Sequence, residues 1–131
     1  MTGKHAVDIM TRPVVTVGPD ELLLDAARLI LRHHVSGLPV VEADGTLVGL
    51  ISEHDVMNFA LSGEAADTQV REAMTADVAW VPPEADIPTL IEVLTSRRIR
   101  RVPIVDGGRV VGIVSRRDIL REMVYMYSRY H

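Results

Sequence analysis

The sequence predicts a mixed α/β (α+β) fold built from two β-α-β-β-α repeats, and three observations carry that prediction. The first is duplication. Residues 6–57 and 70–120 share one pattern at an offset of 64 positions, falling to 63 after a one-residue deletion in a turn, and such self-similarity defines an architecture before any single motif does. Met10-Thr11 recurs as Met74-Thr75, Val17-x-Pro19 as Val81-x-Pro83, and Pro39-Val40-Val41 as Pro103-Ile104-Val105. Gly49-Leu50-Ile51-Ser52-x-x-Asp55 returns as Gly112-Ile113-Val114-Ser115-x-x-Asp118. The second observation is that β-branched runs alternate with apolar spacing of helical period within each copy. The third is a glycine-bearing turn in each copy, Asp44-Gly45 and Gly107-Gly108, where the deletion falls.

In chain order, Ala6–Met10 and Val70–Met74 read as matching helical turns. Val14–Val17 and Val78–Val81 read as short strands, after which Gly18-Pro19-Asp20 and Pro82-Pro83-Glu84 turn the chain into helices. Those helices take their apolar faces from Leu22, Leu23, Ala26, Ala27, Leu29 and Ile30, and from Ile87, Leu90, Ile91, Val93 and Leu94. Strands are expected at Leu38–Glu42, Leu47–Ile51, Val102–Asp106 and Val110–Val114, joined pairwise as hairpins by turn residues that tolerate positive φ. Ser52 and Ser115 cap closing helices of about ten residues, the second running on through Leu120, Met123, Val124 and Tyr127. The predicted domains are 6–62 and 68–128, with the small, polar stretch Ser62–Thr68 linking them. Repeats of about fifty residues are too small to bury a generous core alone, so they are expected to pack on each other and leave a cleft where they meet.

Composition narrows the function classes. The 131 residues are 47% apolar and 24% charged, with no apolar run approaching the ~20 residues of a membrane span. The N-terminus, Met1-Thr2-Gly3-Lys4-His5-Ala6, leads directly into patterned sequence without a secretory apolar stretch, so a cytoplasmic protein with no membrane partner is expected. The absence of cysteine removes disulfides, thiol nucleophiles and zinc-thiolate sites. A net charge of −4 argues against a general nucleic-acid binder. That charge is uneven: residues 1–66 carry a net −5 and residues 67–131 a net +1, with Arg97, Arg98, Arg100, Arg101, Arg109, Arg116 and Arg117 bunched around the single acid Asp106.

The ordered motifs carry a family resemblance. Met-Thr, a short strand, a helix, an apolar-x-x-apolar-Pro-Val strand, a glycine hairpin and Gly-apolar-apolar-Ser-x-x-Asp are together similar to the cystathionine β-synthase (CBS) domain. Here they form a stand-alone tandem pair over about residues 6–124. The resemblance implies two repeats related by a pseudo-twofold axis and packed through their sheets, with two clefts that in many relatives bind adenine nucleotides or other adenosyl ligands. It also implies a regulatory, non-catalytic role, in energy sensing for example. Both repeats consume the chain, so an effector protein is expected in trans, and the apolar helical faces predict a homodimer.

Each Ser-x-x-Asp segment is first of all a capping box, in which serine and acid satisfy free N–H groups at a helix start. The same geometry offers an anion-binding helix terminus, a hydroxyl for phosphate or ribose, and a carboxylate for ribose hydroxyls. By resemblance to the nucleotide-sensing subunit of AMP-activated protein kinase, one cleft combines Val7, Met10 and Arg12 near a base with Val35 and Ser36 on its edge. Arg100, Arg101, Ile113, Ser115 and Asp118 complete it, with Asp118 at the ribose and Arg101 at phosphate. The opposite cleft draws on Val70, Met74, Ile99, Arg100, Leu50, Ser52 and Asp55. Gly37 stands there in place of Arg101, which leaves that cleft weaker, empty or suited to a less charged ligand.

The remaining polar and aromatic residues fit structural roles. His33-His34, like Arg97-Arg98, complement a helix C-terminus, and no histidine pair has metal-ligand spacing, so no metal and no required cofactor are expected. Trp80 and the tail Met123, Tyr125, Met126, Tyr127 and Tyr130 suit packing or a partner surface. No nucleophile-base pair or acid dyad stands out, which sets aside an enzyme. The leading expectation is a sensor of AMP, ADP or ATP-like ligands. The alternative is a structural or protein-interaction CBS module with degenerate clefts.

Overall fold

The computed structural model describes residues 3–61, 63 and 66–130. Met1 and Thr2, and Ser62, Glu64 and Ala65 of the expected linker, lie outside the described residues, as does the Tyr130 side chain. The elements run α1 Ala6–Ile9, α2 Leu23–His33, β1 Gly37–Val41, β2 Leu47–Ser52, α3 Glu53–Met57, α4 Val70–Ala73, α5 Ile87–Ser96, β3 Arg101–Asp106, β4 Arg109–Ser115 and α6 Arg116–Tyr130. They form two units. One is the continuous stretch Val15–Val78, and the other joins Met1–Val14 to Ala79–His131. The first is therefore inserted in the second, and each unit combines the body of one repeat with the leading segment of the other.

In the inserted unit β1 and β2 pair antiparallel from Gly37↔Ser52 to Val41↔Leu47, with an irregularity between Val40 and Val41. Thr75 pairs with the free edge of β2 through two bonds to Leu50, each 2.9 Å. On the β1 edge, Val17 donates to Pro39 O (3.1 Å) and accepts from Val41 N (2.9 Å) in a parallel bridge. The expected strand Val14–Val17 shrinks to that one bridge because the next ladder donors on either side would be Pro39 and Pro19, which have no N–H. Val17, Leu23, Ala26, Ile30, Leu38, Val40, Ile51 and Val70 make the core. Asp20 and Arg71 form an ion pair between the turn before α2 and α4.

The flanking unit repeats this plan. β3 and β4 pair antiparallel from Arg101↔Ser115 to Asp106↔Arg109. Gly107 and Gly108, at φ 59° and 83°, form the two-residue turn between them, a conformation that glycine adopts without steric cost. Thr11 pairs with Ile113 on the β4 edge (2.8 and 3.2 Å), and Val81 makes the parallel bridge to β3 by donating to Pro103 O and accepting from Val105 N. Pro83 and Pro103 cut this ladder short as well, so the expected strand Val78–Val81 is also one bridge. The core gathers Ala6, Val81, Ile87, Leu90, Leu94, Val102, Ile104, Val114 and Ile119. The leading segment is held by Ala6 N to Ala85 O (2.7 Å) and by Lys4, whose ammonium meets the mostly buried Glu122 carboxylate at 2.8 Å and lies 5.2 Å from the centre of the Tyr125 ring.

The two closing helices differ. α6 runs 15 residues, but α3 spans only five, about half the expected length. Beyond Met57 the chain tightens into three-residue turns, Phe59 N to Val56 O and Ala60 N to Met57 O. The sequence Asn58 to Gly63 offers few strong helix formers to extend it. Along α6, by contrast, Ile119 and Glu122 are buried one turn apart and hold the helix to its unit.

Candidate functional site

In both units the strand carrying the glycine motif runs straight into a capped helix, and the cap fixes the polar side chains. In the flanking unit Ser115 N and Ser115 Oγ donate to Asp118 Oδ2 at 2.7 and 3.0 Å, while Asp118 N donates to Ser115 Oγ at 3.3 Å. Asp118 is buried, and its Oδ1 accepts from Arg121 at 3.0 Å. A carboxylate has about four acceptor positions. Oδ2 already receives two donors and Oδ1 one, which leaves one acceptor position open in this arrangement.

The surrounding residues are placed by backbone pairing. Arg101 lies opposite Ser115 in the hairpin register, and Arg116 N donates to Arg100 O at 2.9 Å, which sets Arg100 beside the start of α6. Ile113 pairs with Thr11 and so brings Met10 and Arg12 alongside β4. A side chain at Gly112 would collide with Sδ and Cγ of Met10, so glycine is what permits this approach. Val7 sits on α1, half-exposed, with its N–H bonded to Pro83 O at 3.0 Å. Within this unit the fold thus collects Met10, Arg12, Arg100, Arg101, Ile113, Ser115 and Asp118 around the ends of β3 and β4 and the first turn of α6. Val35 and Ser36 belong to the inserted unit.

The inserted unit holds the matching set. Ser52 N donates to Asp55 Oδ2 at 2.9 Å and Asp55 N to Ser52 Oγ at 3.1 Å. Glu53 N donates to Ser36 O at 3.0 Å, the counterpart of the Arg116–Arg100 bond. Gly37 faces Ser52 in register, Leu50 pairs with Thr75, and a Cβ on Gly49 would come within 2.6 Å of Met74 Sδ. Val70 is fully buried in the core. Ile99 and Arg100, expected with this set, belong to the flanking unit. Sequence reasoning passed over Arg121 as the partner of Asp118, although its three-residue spacing is that of facing side chains on a helix.

Known proteins share this plan. The CBS domain family model matches residues 6–62 and 70–125. The CBS domain-containing protein YhcV of Bacillus subtilis is 34% identical over 113 residues, 86% of this chain and 80% of YhcV. Inosine-5′-monophosphate dehydrogenase of Methanocaldococcus jannaschii is 33% identical over 123 residues, so that 93% of this chain spans about a quarter (24%) of that enzyme. Among solved structures, the CBS domain pair of protein MJ0100, in complex with 5′-methylthioadenosine and S-adenosyl-L-methionine, aligns with a TM-score of 0.86 at 27% identity, covering 94% of this chain and 98% of that one. The CBS-domain containing protein ATU1752 from Agrobacterium tumefaciens aligns with a TM-score of 0.81 at 32% identity, covering 92% and 99%. With two such repeats, each ending in a serine-capped helix under a glycine-bearing strand, the chain belongs to the CBS domain family and carries the domain as a tandem pair.

Proposed function

We propose that this chain is a regulatory module that binds an adenine nucleotide or a related adenosyl compound and acts on an effector protein in trans rather than by catalysis. The observation that carries this reading is the flanking unit's helix start, where a serine hydroxyl and a buried carboxylate with one open acceptor position lie beside the backbone of Arg100, Arg101 and Arg116. The adenosyl compounds bound to the MJ0100 pair support the ligand class. In this proposal Asp118 receives a ribose hydroxyl and Arg101 a phosphate, as a planar guanidinium suits a phosphate's paired oxygens. AMP, ADP and ATP are the leading ligands, which would make the module an energy sensor.

A second reading, a protein-interaction module with silent sites, draws on the exposed stripe Leu120, Val124 and Tyr127 along α6. In either reading two copies pair as a homodimer. Thermal shift against AMP, ADP, ATP, cyclic nucleotides, 5′-methylthioadenosine and S-adenosylmethionine separates them, because a ligand at 100 times its Kd adds about 2.7 kcal/mol to stability. The sensor reading expects a shift that Asp118→Ala abolishes and that Arg101→Ala reduces only for phosphorylated ligands. No shift with any compound would leave the interaction module. Light scattering on the same samples is expected to return twice the chain mass.

A further inference from the structure

Among the described residues two charged side chains are buried, Asp118 and Glu122, and they lie one turn apart on α6. The helix cap and the proposed ligand site account for Asp118. Glu122 has no part in either. Its Oε1 is shut off from water and has no partner besides the Lys4 ammonium at 2.8 Å. Lys4 comes from the other end of the chain. It stands at the head of the leading segment, two residues before α1, and lies 5.2 Å from the centre of the Tyr125 ring.

The scaffold does not require an ion pair there. The inserted unit has Thr68 and Phe59 at the corresponding positions, and Phe59 packs against that unit's core. Desolvating two charges offsets most of the attraction between them, so a buried pair seldom stabilises a fold more than apolar side chains of the same volume. What the pair fixes is place. Sliding the partners apart leaves a buried charge uncompensated, whereas an apolar contact tolerates small displacements. The place fixed here bears on the site. From Lys4 the leading segment runs through α1 to Met10, which lies against Gly112, and to Thr11, which pairs with Ile113. Backbone bonds from Ala6 and Val7 tie it to Ala85 and Pro83, and Lys4 ties it to α6. Glu122 and Asp118, four residues apart, share one face of the helix, so whatever holds Glu122 also holds the rotation of Asp118 about the helix axis.

We propose that Lys4 and Glu122 are positioning residues. Their ion pair locks the leading segment to α6 in the placement that sets Met10 and Arg12 beside the strand and helix carrying Ser115 and Asp118. The flanking unit's site is thereby formed before a ligand arrives, and binding is relieved of the cost of ordering it. The inference rests on the adenosyl reading for its ligand and adds the device that arranges the site. Neither residue touches the ligand; both act through the segments they join.

The test replaces the pair by apolar side chains in the full chain, Lys4→Met/Glu122→Met, and compares it with the conservative Lys4→Arg. Three quantities are read: the melting temperature, amide hydrogen exchange, and affinity for AMP and 5′-methylthioadenosine by titration calorimetry. In the methionine variant the melting temperature should hold or rise. Exchange over residues 5–13 should quicken at least about tenfold while the β1–β2 hairpin keeps its protection. Affinity for both compounds should fall about tenfold, and ligand at saturation should restore slow exchange over 5–13. Lys4→Arg should keep wild-type exchange and affinity, since a guanidinium can still meet the carboxylate. Should the methionine variant fail to fold, Glu122→Gln, which keeps the shape and removes the charge, carries the same expectations for exchange and affinity. Wild-type exchange in these variants would overturn the proposal, and so would faster exchange with unchanged affinity. A lower melting temperature with exchange quickened throughout the flanking unit would make the pair merely structural and overturn it as well. If wild type binds neither compound, the adenosyl reading falls, and the lock stands or falls on the exchange rates alone.

Discussion

Gly112 and Met10 show how a single missing side chain organises a site. The two residues belong to motifs a hundred positions apart, yet a methyl group on one would occupy the space of the other's sulfur and Cγ. Gly112→Ala is therefore expected to push Met10–Thr11 away from β4 and to destabilise the protein by about 1–3 kcal/mol, the usual cost of overpacking. Met10→Ala in the same chain should recover much of that loss, because it empties the contested volume. Urea unfolding of both single variants and the double variant measures the coupling. Additive losses would show that glycine is needed there for some reason other than the methionine. The neighbouring Asp118 adds a second residue-scale lesson: a capping carboxylate is largely occupied by its own helix, and what it can offer a ligand is the remainder after Ser115 and Arg121.

Among the elements, α5 has a titratable cap. Asp86 accepts from Thr89 N at 2.9 Å, and hydrogen bonding from the Thr89 side chain and backbone holds its carboxyl below the ordinary 3.8. A carboxyl depressed in the folded state contributes stability that is complete above its unfolded value and is lost as pH falls through the folded one. The urea midpoint is therefore expected to drop on acidification below about pH 3.8, and Asp86→Asn, which can still cap, should flatten that part of the curve. An unchanged acid limb in the variant would assign the loss to other carboxyls. The elements also show what could be read in advance. Hairpins and helix caps were legible because Gly107-Gly108, Ser52 and Ser115 act within a few residues of themselves. The first strands misled because Val14–Val17 has a strand's composition, while the ladder is stopped by Pro39, far along the chain on the partner strand. For the site, the Ser-x-x-Asp geometry was local and readable. The joining of Met10 to Gly112 rather than Gly49 was not readable from the residues themselves, since both copies carry the same methionine and the same glycine, and only the family resemblance suggested it.

At the scale of the molecule, the division of the chain sets what can stand alone. Val15–Val78 contains every residue of its own core, including Val70, and the Thr75 segment that completes the edge of β2. A fragment of those residues is expected to unfold cooperatively, within the marginal stability of so small a domain. Residues 1–66, which look like the natural half in the repeat pattern, lack Val70, Met74 and Thr75, and are expected to give no cooperative transition. Circular dichroism melts of the two fragments decide the matter, and a cooperative transition in 1–66 alone would refute the partition.

The same division imposes an order on synthesis. The inserted unit is complete once Val78 has left the ribosome, whereas Thr11, made about a hundred residues before Ile113, must wait for it before its backbone is paired. At about 5–20 residues per second that interval lasts on the order of 5–20 s. Throughout it the Thr11 segment of a nascent chain lacks its strand partner and is an unpaired edge segment, the kind of backbone that invites pairing with another chain.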